Sequence, residues 1–523
     1  MAGKFSSPNE PNKRPANRRD TFDNNYTKPQ KEREPMWPKL LGTLLVLVVI
    51  AAISLVSLNI YNDRYFGDTT LNAPGTDATE NGGVLDIFRP KETTEETTEP
   101  TEETKPEPHH VIATATISAT GDALMHMPVV NSFYEADTNS YDFVPMFEYY
   151  APYIAEADYA VTNLETTLAG LDNGYQYSGY PCFNCPDDIV TSLSEVGFDM
   201  LLTANNHCYD TSTVGLLRTQ ETIQDLGMEK LGTRANTDEP TYLIKDINGI
   251  KVGMLCYTYS TRTDAGALAI NGLPVKQDAY GLINNFNPAD PGPFYTEVEQ
   301  TIATMESEGA EAIVMYIHWG IEYQLFANEQ QRPMAQKLCD LGVDVIVGNH
   351  PHVVQPMDLL TSTVDENHKT VCLYSTGNAI SNQRRHLMNL NDGHTEDGIL
   401  FTFSFSKYSD GTVVLEHVEL LPTWINLYKD AGGANVYRII PLDKDVEDWE
   451  TAFNVSGATL DHCEASYQRT MDLVGPGLEK VTTYLTQAKA DREAMYLDMV
   501  NNPDAYTTPT EVTEATETTE VTE

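Results

Sequence analysis

The sequence predicts an α/β head behind a single transmembrane helix, and three observations support this prediction. Over residues 111–430, short β-rich apolar runs alternate with helical patterns, which is typical of a layered α/β domain. Residues 40–58 carry no charge and are long enough to cross a bilayer as a helix. The stretches that flank the head are rich in Thr, Glu and Pro, and such stretches do not bury a core.

The N-terminal part is predicted to be a membrane anchor. Residues 1–39 are rich in Lys and Arg, and the apolar run that follows predicts a transmembrane helix over residues 40–60. The basic side of such a helix normally stays in the cytoplasm, so the head is expected outside the cell, in the envelope. A buried core helix and a cleaved signal peptide are the alternatives, but the run is too uniformly apolar for the first and too long for the second.

Two low-complexity segments are predicted to be disordered. The linker, residues 61–110, contains a stretch made only of Lys, Glu, Thr and Pro, and the acidic tail, residues 503–523, repeats Glu at every third position. Both are expected to be extended and self-repelling, as a stalk would be, although solubility alone explains their charge nearly as well. Between head and tail, residues 431–502 are predicted to form a partly helical extension.

Composition narrows the range of partners. The chain has 33 Lys and Arg against 77 Asp and Glu, a formal net charge of −44, which argues against nucleic acid as a partner. The seven cysteines do not form a disulfide scaffold. Cys182 and Cys185 have a CxxC spacing without a second pair, so a zinc site is disfavoured there and a local disulfide stays open.

The elements of the head follow one another in a regular order. Five apolar runs predict strands that end at or just before Asp122, Glu165, His207, His318 and His350. Helical patterns intervene at about residues 144–156, 187–196, 213–226, 294–308 and 328–341. Three further β-rich runs after His352 are interpreted as antiparallel additions to the sheet.

Side chains that can bind a metal recur at the ends of these strands. Only 12 His occur in the chain, and four of them lie at these ends. A lone Asp or His there would be an ordinary turn or core residue, but the recurrence favours a site, because ligands bind at the carboxyl ends of strands in open α/β sheets. Carboxylates, imidazoles and an amide suit two divalent ions such as Mn, Fe or Zn. Such a pair supports displacement at phosphorus.

Six segments carry a family resemblance. They are "SATGDALMH", "TNLETTL", "LLTANNHCYDTSTVGL", "YIHWGIEY", "GVDVIVGNHPHVVQP" and "YSTGNAI", in order over about residues 113–385. Together they resemble the CapA family of poly-γ-glutamate capsule synthesis proteins, which is similar to the calcineurin-like metallophosphoesterases. The resemblance implies a four-layer αββα fold with a dinuclear metal site. It also implies a role in making or exporting an anionic extracellular polymer.

The resemblance also assigns roles to individual residues. It implies His207 as the general acid, and as metal ligands Asp122, Glu165, Asn206, His318, His350 and His352. Two positions depart from the phosphoesterase pattern. Leu124 stands where those enzymes have His, with His126 two residues later, and Glu165 stands where they have the shorter Asp.

Four further residues are expected to support the site. They are His126, Asp210, Glu322 and Asn378. Glu322 could orient His318 or cap the next helix. Asp210 could hold His207 or cap the helix at residues 213–226. Asn378, with Arg384 and Arg385, could face an anionic substrate, with a plain surface position as the alternative for the arginines.

Several functions are compatible with this sequence. The first is a membrane-anchored, metal-dependent phosphoester hydrolase that takes part in capsule or other envelope-polymer synthesis or export. The alternatives are a non-catalytic, metal-binding accessory component of a polymer export complex, and an envelope phosphatase unrelated to capsule. A cell-surface adhesin on a stalk is a third class, against which the histidines at the strand ends argue.

Overall fold

The computed structural model describes residues 108–388, 392–503 and residue 506. Its strands are β1 (Val111–Ala123), β2 (Tyr134–Glu135), β3 (Ser140–Tyr141), β4 (Tyr159–Leu164), β5 (Met200–Leu202), β6 (Glu229–Leu231), β7 (Tyr242–Ile247), β8 (Ile250–Tyr259), β9 (Thr261–Arg262), β10 (Leu268–Ile270), β11 (Leu273–Pro274), β12 (Asn285–Phe286), β13 (Ala312–His318), β14 (Val345–Asn349), β15 (Val354–Thr361), β16 (Lys369–Thr376), β17 (Asn378–Ile380), β18 (Asp397–Tyr408), β19 (Val413–Lys429) and β20 (Asn435–Pro441). Its helices are α1 (Met127–Ser132), α2 (Ala151–Ile154), α3 (Asp188–Glu195), α4 (Ser212–Asp225), α5 (Gly292–Ser307), α6 (Gln331–Asp340), α7 (Arg385–Met388), α8 (Trp449–Ala452) and α9 (Ala458–Asn501).

Two large sheets form the centre of the head. The first sheet has the order β20-β19-β18-β1-β4-β5-β6, with β17 beside β1. Its β1, β4, β5 and β6 are parallel, whereas β18, β19 and β20 are antiparallel. The second sheet has the order β12-β8-β13-β14-β16-β15, with β7 beside β8. Its strands from β12 to β16 are parallel, and β15 and β7 pair antiparallel to their neighbours.

The alternation of side chains along these strands explains the layering. Alternate residues of β1, β8, β13 and β14 enter one apolar cluster that lies between the two sheets, together with Phe401, Phe403 and Phe405 of β18. The other faces pack against helices, α3 on the first sheet and α5 and α6 on the second. The mixed α/β class is therefore confirmed, and its layers follow the order helix, sheet, sheet, helix.

Most predicted elements of the head are present, with two differences. The helix expected at residues 144–156 is instead a 3₁₀ turn (Val144–Phe147) followed by the short α2. Pro152 has no N–H for a helical hydrogen bond to Glu148, which favours a break before it, and α2 begins one residue earlier at Ala151. Of the three runs predicted after His352, β18 and β19 are antiparallel additions as expected, whereas β16 joins the second sheet in parallel beside β14. Strand β15, which was not predicted, pairs antiparallel with β16.

The C-terminal extension is part of the same unit as the head. Strand β20 lies beyond residue 430 yet completes the first sheet, and the sheet would be cut if a domain ended there. Helix α9 places Val474, Val481 and Leu485 in the cluster between the sheets. The predicted boundary at residue 430 is thus not a structural boundary, because the apolar face of α9 covers an open side of the two-sheet core.

No helix within residues 108–388 or 392–503 is apolar and long enough to cross a membrane. The predicted basic tail, the transmembrane helix at residues 40–60, nearly all of the linker and most of the acidic tail lie outside the described residues. Cys182 and Cys185 both lie within them and are free thiols, the second one buried.

Candidate metal centre

The predicted site residues come together where the two sheets meet. Strands β1, β4 and β5 are parallel neighbours in the first sheet, and β13 and β14 are parallel neighbours in the second. Their carboxyl ends carry all the predicted metal-ligating residues on the strands themselves or on the loops that follow. Because the two sheets stack face to face, these ends converge on one buried site.

Two clusters of three potential ligands form this site, and Glu165 belongs to both. One cluster contains Glu165, His318 and His350, and the other contains Asp122, Glu165 and His352. In each cluster the ligand atoms lie within 4.8 Å of one another. Two adjacent clusters that share a carboxylate are compatible with divalent metal ions, for which imidazole and carboxylate are ordinary ligands.

Glu165 is in an environment that is costly for a carboxylate. Its side chain is fully buried, and neither of its oxygens has a hydrogen-bond partner among the described residues. Oε1 lies 3.5 Å from His318 Nε2 and 3.9 Å from His352 Nε2. Burial, and then the charge of Asp122, raises the pKa of Glu165 well above its ordinary value. A buried carboxylate without partners fits a position that a cation completes.

Asp122 is held from several sides. Oδ1 accepts a hydrogen bond from Asn163 Nδ2 at 2.8 Å, and Oδ2 accepts one from the backbone N–H of His350 at 3.2 Å. Burial opposes ionisation of Asp122, but the contact with His352 and the charges of His352 and His318 outweigh burial and lower its pKa. Strand β1 can approach the backbone at Gly377 closely because residue 121 is Gly. A Cβ at position 121 would lie 2.0 Å from the carbonyl oxygen of Gly377.

His318 and Asn206 present their polar atoms to the same point. His318 Nε2 lies 2.7 Å from Asn206 Oδ1. The His318 ring is 4.8 Å from that of His350, whose Nδ1 is buried and has no hydrogen-bond partner in the described part of the chain. Burial lowers the pKa of His318 to about 3 and the pKa of His350 well below its ordinary value. Both rings are therefore neutral near pH 7, which is the form that binds metal.

The tautomer of His352 is fixed by its surroundings. Its Nδ1 lies 3.1 Å from Asp122 Oδ2 and 3.1 Å from Asn378 Oδ1. Asn378 uses its amide nitrogen to donate elsewhere, including to the carbonyl of His352, so both neighbours of Nδ1 are acceptors. The proton of His352 is then on Nδ1, which leaves Nε2 with a lone pair on the side of Glu165.

The backbone of the segment that carries two of these histidines is strained. His350 has φ 96° and His352 has φ 55°, both in the left-handed region that residues other than Gly rarely adopt. Such conformations cost about 1–3 kcal/mol each and persist where the surrounding structure holds them. Strain in this loop is consistent with a functional requirement for the positions of the two rings.

His207 lies at the edge of the clusters and is oriented by Asp210. Its Nδ1 is 2.7 Å from Asp210 Oδ2, and Asp210 Oδ2 also accepts a hydrogen bond from the backbone N–H of Phe183 at 2.6 Å. The ring of Phe183 packs edge-on against His207 with centroids 4.7 Å apart. An imidazole whose Nδ1–H is held by a carboxylate presents Nε2 for proton exchange, as the predicted acid requires.

Some predicted supporting residues do not reach the two clusters. His126 lies beside the site but belongs to neither cluster. Glu322 is exposed, and no hydrogen bond joins it to His318 among the described residues, because the loop after β13 turns its side chain to solvent. The two arginines pair with the buried Glu396: Arg384 is itself buried, and Arg385 is half-buried.

Three residues of the site were not identified from the sequence. Asn163 donates to Asp122, Asn205 donates to Asn163 Oδ1 and to the carbonyl of Leu164, and the Tyr259 ring lies 4.8 Å from that of His350. Asn163 follows Thr162 in a strand that is buried along its whole length, so two polar residues stand side by side in the core. That pattern was an available signal, because a buried amide needs specific partners.

Comparisons with known proteins agree with this arrangement. The bacterial capsule synthesis protein PGA_cap family model matches residues 116–383, which contain every proposed ligand. The PGA biosynthesis protein CapA of Bacillus subtilis (strain 168) is 27% identical over 46% of this chain and 57% of its own length. The capsule biosynthesis protein CapA of Bacillus anthracis is 26% identical over 61% of this chain and 70% of its own length. The match therefore spans little more than half of the first relative.

Solved structures add no argument of their own. A Staphylococcus aureus protein assigned as a 5′-nucleotidase is 14% identical and covers 59% of this chain and 54% of its own, with a TM-score of 0.35. That score is too low to support an inference about the site.

The family model covers more than half of the chain, and the segments it matches are those that build the two clusters. The chain belongs to the bacterial capsule synthesis protein PGA_cap family.

Proposed function

We propose that the head is a metal-dependent phosphoester hydrolase that acts in the synthesis or export of an anionic envelope polymer such as poly-γ-glutamate. The observation that carries this proposal is the pair of ligand clusters joined by Glu165, whose buried carboxylate has no hydrogen-bond partner in the described residues. Membership of a capsule synthesis family supports the link to an envelope polymer.

The residues of the site fit two divalent ions, of the Mn, Fe or Zn type. His318, His350 and Asn206 would hold one, Asp122 and His352 the other, and Glu165 would contribute to both. Bound there, the ions would supply an activated water and charge neutralisation for an in-line displacement at phosphorus. Three of these residues are further fixed by hydrogen bonds that keep the ligand atoms in place: Asn163 donates to Asp122 and lies 3.5 Å from His318 Nδ1, and His352 donates to Asn378 Oδ1.

His207 would act as the general acid of this reaction. Asp210 holds its Nδ1, so Nε2 would give a proton to the leaving oxygen of the substrate. The ring of Phe183 packs against one side of His207. His207 and Asp210 lie outside the two ligand clusters, so proton transfer and metal binding would use different residues.

The experiment that tests this proposal measures metal content and turnover on the same samples. The full chain is purified in wild-type form and as His207→Ala, and each is assayed with phosphomonoesters and phosphodiesters. We expect both proteins to contain metal. His207→Ala should turn over about 10²- to 10⁴-fold more slowly, the usual contribution of a general acid. The exposed His417→Ala is the matched control.

Two outcomes would redirect the proposal. If the metal-loaded wild type hydrolyses neither ester class, the head is a non-catalytic, metal-binding accessory component of a polymer export complex. If it hydrolyses esters but cells that lack the protein make normal polymer, it is an envelope phosphatase unrelated to capsule.

We also propose that the chain is anchored in the cell membrane by residues 40–60, with its N-terminus in the cytoplasm and the head outside. The charge-free run after a basic segment supports this orientation. A protease added to intact cells should then degrade the head and leave the segment before residue 40 intact. Protection of the head in intact cells, with cleavage only after lysis, would contradict the orientation.

A further inference from the structure

One histidine beside the metal centre has a fixed tautomer and an unused donor. His126 Nδ1 lies 3.2 Å from the backbone nitrogen of Asn382, whose N–H donates to it. The carbonyl of Leu124 is also 3.2 Å from Nδ1, but a proton on Nδ1 would collide with the Asn382 N–H. The proton of the neutral ring is therefore on Nε2.

The Nε2–H of His126 is free to bind a ligand. Within the part of the chain that the structure describes, this nitrogen has no hydrogen-bond partner and does not belong to the fully buried unpartnered atoms. His126 is half-buried, whereas His207, His318, His350 and His352 are all buried. It is thus the most accessible histidine around the site.

Phe183 places His126 next to the proposed acid. Its ring packs edge-on against His126 with centroids 5.2 Å apart and against His207 with centroids 4.7 Å apart. The two imidazoles therefore contact one aromatic ring. Asn382, which fixes His126, is followed by Gln383, which accepts a hydrogen bond from the Asn378 amide. One short loop consequently positions both His126 and the residue that orients His352.

We propose that His126 is a substrate-binding residue, which donates from Nε2–H to a non-bridging oxygen of an anionic phosphoester beside His207, and is not a metal ligand. This inference rests on the proposed function of the site. A neutral donor suits that role because it binds an oxyanion without exchanging a proton. Burial lowers the pKa of His126 to about 4, so the ring is neutral near pH 7.

The test uses inorganic phosphate as the probe. The full chain is loaded with Mn²⁺, its metal content is measured, and phosphate binding is followed by calorimetry. His126→Ala removes the donor, His126→Gln keeps an N–H at a similar reach, and the exposed His417→Ala is the matched control. A hydrogen bond to a charged group predicts phosphate binding about tenfold or more weaker in His126→Ala, with metal content unchanged. His126→Gln should recover most of the affinity.

The outcomes separate this inference from the proposed function. Phosphate affinity in His126→Ala equal to that of the wild type would overturn the inference and leave the hydrolase proposal standing. Loss of metal in both His126 variants, with the control unchanged, would make His126 a ligand and also overturn it. If the metal-loaded wild type does not bind phosphate at all, the inference fails, whereas the hydrolase proposal fails only if ester turnover is also absent.

Discussion

At the scale of single residues, Glu165 and His350 each lower the stability of the fold when no metal is bound. Glu165 is a buried carboxylate without a hydrogen-bond partner in the described residues, and His350 combines an unpartnered buried Nδ1 with φ 96°. Features of this kind lower stability and persist where function selects them. The two residues belong to the same ligand cluster. Stability and metal binding are therefore expected to change in opposite directions when these residues are replaced.

Replacement of Glu165 by Gln should stabilise the metal-free protein. Gln keeps the shape without an ionisable group, so the free energy spent in holding the folded Glu165 protonated at pH 7 is removed and we expect a higher free energy of unfolding. As pH rises above 4.5, the unfolded Glu165 ionises while the folded one stays protonated. This ionisation makes the free energy of unfolding of the wild type fall with pH, and Glu165→Gln lacks that contribution.

Denaturant unfolding in chelator at several pH values measures this difference. The control is the exposed Glu464→Gln, which should follow the wild type at every pH. Equal stability of Glu165→Gln and wild type across the range would show that the carboxylate is not strained in the metal-free fold.

Asp210 should matter for turnover and not for metal binding. Asp210→Asn removes the carboxylate that holds His207 Nδ1. Loss of such an orienting group typically lowers activity about 10- to 100-fold. We expect this loss with unchanged metal content, checked by kinetics and metal analysis on one preparation, with the exposed Asp264→Asn as the control. A proportional loss of metal would place Asp210 among the groups that support the ligands instead.

At the scale of elements, the strand ends could be predicted but their mutual contacts could not. Apolar runs that stop at Asp122, Glu165, His318 and His350 are visible in the sequence, and the structure ends β1, β4, β13 and β14 at or within one residue of them. The strand predicted to end at His207 is shorter than expected, since β5 stops at Leu202. The Asn205 amide binds the carbonyl of Leu164 and so replaces a backbone partner.

The missed contacts have a common physical cause. The hydrogen bond between Asn163 and Asp122 joins neighbouring strands, and the contact between Asn206 and His318 joins the two sheets. Such pairs depend on the register and stacking of sheets, which no local pattern encodes. The exposed position of Glu322 likewise depends on how one loop turns after β13.

Helix α9 gives a prediction at the same scale. Leu485 lies in the cluster between the sheets and Leu497 is 55% exposed on the same helix. Truncation of a buried Leu to Ala costs about 2–5 kcal/mol, so Leu485→Ala should lower the free energy of unfolding by that amount and Leu497→Ala should change it little. Chemical denaturation of the two variants checks this. Similar small effects would mean that α9 is an appended element and not a part of the core.

At the scale of the whole molecule, the site lies at one end of β1, and the described part of the chain begins and ends near the other. Asp122 is near the carboxyl end of this strand, while at its other end Val111 pairs with Tyr408. There the ring of His109 packs against that of Tyr496, near the end of α9. The described chain therefore enters and leaves the head far from the candidate metal centre.

Bound metal should stabilise the whole head. A ligand that binds only the folded state at 100 times its dissociation constant adds about 2.7 kcal/mol. We therefore expect chelator to lower the thermal midpoint of the wild type by several degrees, and Mn²⁺ to restore it. Glu165→Gln should respond much less to either treatment. The thermal midpoints of both proteins are measured with and without chelator. If chelator lowers the midpoint of Glu165→Gln as much as that of the wild type, the stabilising metal does not bind at this site.

A centre of two ions that share Glu165 is tested by the number of divalent ions bound per chain. The purified full chain is analysed by elemental mass spectrometry as wild type, His318→Ala, His352→Ala and Glu165→Gln. We predict about two divalent ions in the wild type, about one in each histidine variant, because the clusters share only Glu165, and the fewest in Glu165→Gln. The same ion content in all four proteins would rule out a two-ion centre at these residues.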